Sequence, residues 1–125
     1  EKVKQQQLKG MIIEVSYPNE APDSKLYGHM TPQFLLKELK KLATYSGEGE
    51  PLKGLSVVIS HIKPSFQQGK DVRKTIAAEL AQGNDMGINF IIMEQGDSQK
   101  FWAWIKKTDN FEFILFICID NWRDK

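Results

Sequence analysis

A chain of 125 residues, 41% hydrophobic and 26% charged, has the size and balance of one soluble globular domain or part of one. Its 17 Lys and Arg against 16 Asp and Glu leave a formal charge of +1, which excludes the broad positive field that gathers nucleic acid or an anionic membrane. The lone cysteine, Cys118, excludes an internal disulfide and fits a reducing, cytoplasmic setting; the longest apolar run, Phe111 to Ile119 broken by Glu112, falls far short of the roughly 20 residues that cross a bilayer.

Glu1 to Gln7 is Gln-rich with mixed charge and lacks the apolar stretch of a secretory signal, and a start without methionine is expected to reflect processing, truncation or an upstream segment. Met11 to Tyr17 reads as a strand closed by Pro18-Asn19, with Glu14 in its second half. Glu20 to Gly28 has loop composition and delivers His29 to a loop-to-helix junction. Thr31 as cap and Pro32 as first residue predict a helix, and Leu35, Leu36, Leu39, Leu42 and Ala43 give it one apolar face opposite Lys37, Glu38, Lys40 and Lys41. After the Gly-rich break at 46–51, Leu55 to Ile59 predicts a buried strand with His61 at its carboxyl end. Asp71 predicts the cap of a second helix carrying Val72, Ile76, Ala77 and Leu80 on one side and ending near Gly83. Strands follow at Ile88 to Met93, Phe101 to Ile105 and Phe111 to Ile119; the spacing of Phe101, Trp102 and Trp104 fits a strand with one covered face better than a stacking surface.

Alternating strands and helices imply α/β layering, in which ligands gather beyond the carboxyl ends of the strands. Glu14, His29 and His61 lie at such ends. His61 projects from a rigid strand into that region, yet one histidine cannot make a zinc site, which takes three or four protein donors. Spacing alone leaves His29 as a second ligand, a general acid or a helix-start residue satisfied by polar neighbours. Glu14, between Ile13 and Val15, is either the polar half of a strand alternation or an acceptor that orients His29 as a proton donor. No GxGxxG, P-loop, nucleophile elbow or CxxC pair is present, which removes the common nucleotide-fold, acyl-transfer and redox readings.

Three blocks, residues 11–19 (MIIEVSYPN), 26–32 (LYGHMTP) and 55–64 (LSVVISHIKP), together resemble the class II 3′,5′-cyclic-nucleotide phosphodiesterases, the fungal low-affinity type among them. Gly87 to Phe90 and Glu94 to Gly96 extend the likeness to most of residues 8–96. The resemblance implies the metallo-β-lactamase superfamily, whose αββα sandwich holds two metal ions, usually zinc, at strand-end loops. By motif, His61 matches the last histidine ligand of that site, and Glu14 with His29 is similar to the glutamate-histidine pair of ribonuclease Z. The implied reaction is metal-assisted hydrolysis of cAMP, with cGMP as a further substrate, to the 5′-monophosphate, His29 serving the departing 3′ oxygen.

The superfamily's His-x-His-x-Asp-His signature, a further histidine and a bridging aspartate are absent from these 125 residues. Residues 1–125 are therefore expected to be the C-terminal portion of one metallo-β-lactamase-like domain, inactive alone and completed by an N-terminal half of the same protein, with apolar sheet surface left uncovered. The expected partners are that half and a cyclic nucleotide, with no nucleic acid and no membrane. Two rivals remain: a ribonuclease Z-like nuclease, which needs a basic exosite, and a non-catalytic α/β interaction domain with structural histidines.

Overall fold

Short runs of β-branched and large apolar residues form the sheet, and the segments with three- and four-residue apolar spacing form helices. The computed structural model describes residues 8–93 and 113–117. Along the chain come β1 (Leu8–Glu14), a single 3-10 turn at Asp23–Lys25, α1 (Pro32–Ser46), β2 (Ser56–Ser60), α2 (Val72–Gly83), β3 (Asn89–Ile92) and β4 (Phe113–Ile117). The strands pair in the order β3-β2-β1-β4, and every pairing is parallel.

From β1 to β3 the chain steps in one direction across the sheet, with a helix at each step. Right-handed crossovers repeated in one direction place successive helices on one face. Leu35 and Leu39 of α1 and Ile76 and Leu80 of α2 accordingly share one core cluster with Met11 and Ile13 of β1 and Val57 and Ile59 of β2. The opposite sheet face begins with Ile12, Val58 and Ile91, which the parallel register sets in one row. Val58 is buried, Ile12 is half-buried and Ile91 is 39% exposed, so among these three the uncovered surface expected of a half sandwich is concentrated at the β3 edge. One sheet and one helical layer are two of the four layers of an αββα sandwich.

Helix starts follow their local signals. Pro32 opens α1 after an extended Thr31, although the Thr31 hydroxyl makes no capping bond. The Asp71 carboxylate accepts from the backbone N of Lys74 at 3.3 Å, capping α2 as expected. Asn84 then links α2 to β3: its amide donates to the Ile88 carbonyl at 2.7 Å, and its Oδ1 accepts from the Ile88 backbone N at 3.3 Å.

The first strand departs from the sequence pattern. It closes at Glu14 instead of Tyr17 because the backbone N groups of Ser16 and Tyr17 leave the ladder for the Met30 carbonyl, at 3.1 and 3.4 Å. The predicted strand at Phe101 to Ile105, with Trp102 and Trp104, lies outside the described residues, as does Cys118. No described helix is long and apolar enough to cross a membrane.

Candidate functional site

Parallel pairing is what gathers the chemistry. The β1–β2 register sets Glu14 beside Ser60, so His61 emerges next to the Glu14 carboxylate at the carboxyl edge of the sheet. His61 has φ +58°, a left-handed conformation that a non-glycine residue adopts at a cost of roughly 1–2 kcal/mol. Its surroundings hold it there: the His61 carbonyl lies 2.9 Å from Ser16 Oγ, and the backbone N of Lys63 donates to the Ser16 carbonyl at 3.1 Å. The segment that follows β1 thus clamps the turn that follows β2.

His29 arrives from the opposite direction. Its backbone N donates to the Leu26 carbonyl at 2.9 Å, after two successive left-handed residues, Tyr27 at φ 50° and Gly28 at φ 87°. The Met30 carbonyl then ties this loop to Ser16 and Tyr17. The His29 ring packs edge-on against Tyr17 (5.9 Å between centroids) and His61 (5.5 Å).

Glu14 is the centre of the cluster. Its side chain is 3% exposed, and its Oε1 accepts from His29 Nδ1 and lies within bonding reach of Ser16 Oγ. His61 Nδ1 faces the same oxygen at 3.6 Å. Among the described residues Glu14 Oε2 has no hydrogen-bond partner. A buried carboxylate is costly unless it is paired and bonded, so an orphaned oxygen here points to a group that completes the site.

On the far side of His29, Lys63 Nζ lies 3.0 Å from Nε2. An ammonium only donates, so Nε2 presents a lone pair and the ring proton sits on Nδ1, directed at Glu14. Both ring nitrogens of His29 are therefore engaged. His61 differs: its side chain is 57% exposed, Nδ1 faces Glu14, and Nε2 has no partner among the described residues.

Glu14, His29 and His61 each offer a donor atom within 4.8 Å of the others, a nitrogen and oxygen set of the kind zinc accepts. The orphaned Glu14 oxygen and the free His61 nitrogen fit a metal at this edge, and a carboxylate behind a ligating imidazole is the usual way such a ring is oriented. Three donors of which His29 is doubly engaged do not enclose an ion.

The structure therefore brings together all three residues singled out from sequence. Glu14 is buried and accepts from His29, the second of the two readings of its place in the strand. Ser16, Tyr17 and Lys63 were missed. For Ser16 the available signal was its position two residues beyond Glu14, where an extended chain returns to the same side; Tyr17 and Lys63 reach the cluster through turns that no local pattern gives.

Known proteins share the sequence and the fold of this chain. Residues 1–96 match the family described as class-II cAMP phosphodiesterases. A protein named probable 3′,5′-cyclic-nucleotide phosphodiesterase from Yersinia pestis is 81% identical over 101 residues, covering 81% of this chain and 29% of that protein. A 3′,5′-cyclic-nucleotide phosphodiesterase from Aliivibrio fischeri is 52% identical over 99 residues, covering 79% of this chain and 30% of its own length. The crystal structure of unliganded yeast PDE1 superposes with a TM-score of 0.63 at 28% identity, covering 75% of this chain and 30% of that one. Its metallo-β-lactamase-like fold is the architecture to which the present sheet and helices correspond. The chain spans about three-tenths of the length of these relatives.

Proposed function

Because the chain belongs to the class-II cAMP phosphodiesterases, we propose that the full-length protein carrying it hydrolyses 3′,5′-cyclic nucleotides, cAMP foremost and cGMP with it, to 5′-monophosphates in the cytoplasm. In this reading residues 1–125 form the C-terminal portion of a single metallo-β-lactamase-like domain, and an N-terminal half supplies the other metal ligands. The observation that carries it is the convergence of Glu14, His29 and His61 at the ends of β1 and β2.

His61 would ligate through Nε2, with Glu14 behind Nδ1 fixing the ring. When bound, a pair of zinc ions would supply positive charge at the phosphoryl oxygens and a more acidic water. Water adds its oxygen to phosphorus, the bond to the 3′ oxygen breaks, and that oxygen takes up a proton. Glu14 holds the Nδ1 side of His29 so that its Nε2 edge faces the departing oxygen; Nε2 first takes up a proton from solvent, which it then gives to that oxygen. The α1 lysines give no support to a nuclease exosite: Lys40 pairs with Asp85 at 3.2 Å and Lys41 with Glu38 at 2.8 Å.

The test is hydrolysis of cAMP by the full-length protein with His61→Ala. Activity and metal content are expected to fall together while the fold persists; near-wild-type values of both would sink the assignment. His29→Ala is expected to lower turnover by about a hundredfold with metal content retained, in keeping with loss of one general acid–base group. Loss of metal from that variant would make His29 a ligand instead.

A further inference from the structure

Lys63 stands out in the cluster because no carboxylate among the described residues pairs with its ammonium. Its Nζ contacts are the neutral Nε2 of His29 at 3.0 Å and the face of Tyr17, 5.3 Å from the ring centroid. The buried acid of the cluster, Glu14, is already taken by His29 and Ser16. A half-buried cation satisfied by an imidazole and a π face has an unmet preference for an anionic acceptor, since charge-assisted bonds are roughly twice as strong as neutral ones.

The backbone keeps this ammonium in the site. Lys63 N is bonded to the Ser16 carbonyl at 3.1 Å, so the stem starts from the clamped turn after His61. Beyond it opens a cleft of about 430 Å³ lined by Ile62, Lys63, Ser65 and the start of α2. Lys63 is the residue common to that cleft and to the Glu14–His29 pair.

We propose that Lys63 is a catalytic residue that exchanges acceptors: without substrate it rests on His29 Nε2, and with substrate it moves onto the anionic cyclic phosphate on the side of the departing 3′ oxygen, neutralising charge there and uncovering the Nε2 edge of His29. The proposal rests on the phosphodiesterase reading above. A phosphate oxygen outcompetes an imidazole nitrogen for an ammonium, and the short swing required is within the reach of a four-carbon stem. Charge on the departing oxygen grows toward the transition state, so the contact serves turnover more than binding.

The experiment compares the metal-loaded full-length protein with Lys63→Met, Lys63→Arg and Lys63→Gln. With Met, kcat for cAMP is expected to fall about a hundredfold and KM to rise less than about tenfold, while metal content and melting temperature stay at wild-type values. The affinity for 5′-AMP, read by calorimetry, is expected to weaken about tenfold. Arg, which keeps the charge, is expected to restore part of the lost turnover; Gln, which keeps a donor for His29 Nε2 without charge, is not. A kcat/KM for Met within threefold of wild type overturns the proposal, as does loss of metal alongside activity, or recovery by Gln equal to that by Arg, which would leave Lys63 as a positioning residue. Absence of cyclic-nucleotide hydrolysis in the wild type overturns the phosphodiesterase reading and this proposal together.

Discussion

Ser16 has one hydroxyl proton and more than one acceptor for it. The side chain is fully buried, beside Glu14 Oε1, 2.9 Å from the His61 carbonyl and 3.4 Å from His29 Nδ1. Ser16→Ala removes that link, leaving the His61 carbonyl and part of the Glu14 carboxylate to be satisfied by others. Full-length protein is expected to lose about 1–2 kcal/mol in denaturant unfolding and several-fold in kcat. An unchanged midpoint and rate would show that the hydroxyl merely fills space. Glu14, His29 and His61 were legible in the sequence because each sits at the end of a pattern that local residues define. Lys63 was not, and Ser16 only in its nearness to Glu14, because His29 lies 34 residues from Lys63 and the His61 carbonyl 45 from Ser16, and only the fold brings them near. The burial of Glu14 was hidden for a related reason: alternation reports which side of a strand a residue faces, and the loop that covers that side is not local to it.

At the scale of elements, helix boundaries were readable and the end of the first strand was not. Thr31-Pro32 and Asp71 are signals carried within one turn of chain, and both helices start where those signals lie. The closure of β1 depends on the Met30 carbonyl, a competitor that no local pattern reveals. Asp71→Ala deletes the bond to the Lys74 backbone and is expected to cost about 1 kcal/mol in thermal or chemical unfolding. A change below a few tenths would mean that solvent replaces the cap at no cost. Leu80, fully buried between α2 and the sheet, is the sharper probe of the helical layer. Its replacement by Ala is expected to cost about 2–5 kcal/mol, set by how far α1 and β2 collapse onto the vacated volume.

For the molecule as a whole, the sheet face turned away from α1 and α2 carries the strongest consequence of the four-layer reading. Ile12, Val58 and Ile91 stand in one row across β1, β2 and β3, and each was read from sequence as part of an apolar strand without any sign of what covers it. The helices account for Met11, Ile13, Val57 and Ile59 on the other side. In a sandwich the row packs against a second sheet about 10 Å away, and Ile91, 39% exposed here, becomes an interior residue. Ile91→Lys separates the alternatives. An isolated surface position tolerates that change within about 0.5 kcal/mol, whereas a buried one must desolvate an unpaired ammonium against apolar neighbours. In the full-length protein Ile91→Lys is therefore expected to cost several kcal/mol in urea unfolding and to lower the yield of folded enzyme, with Ile91→Val nearly neutral. Equal stability of Lys and Val variants would place this face in solvent and count against the proposal that an N-terminal half stacks there as a second sheet on β1 to β3.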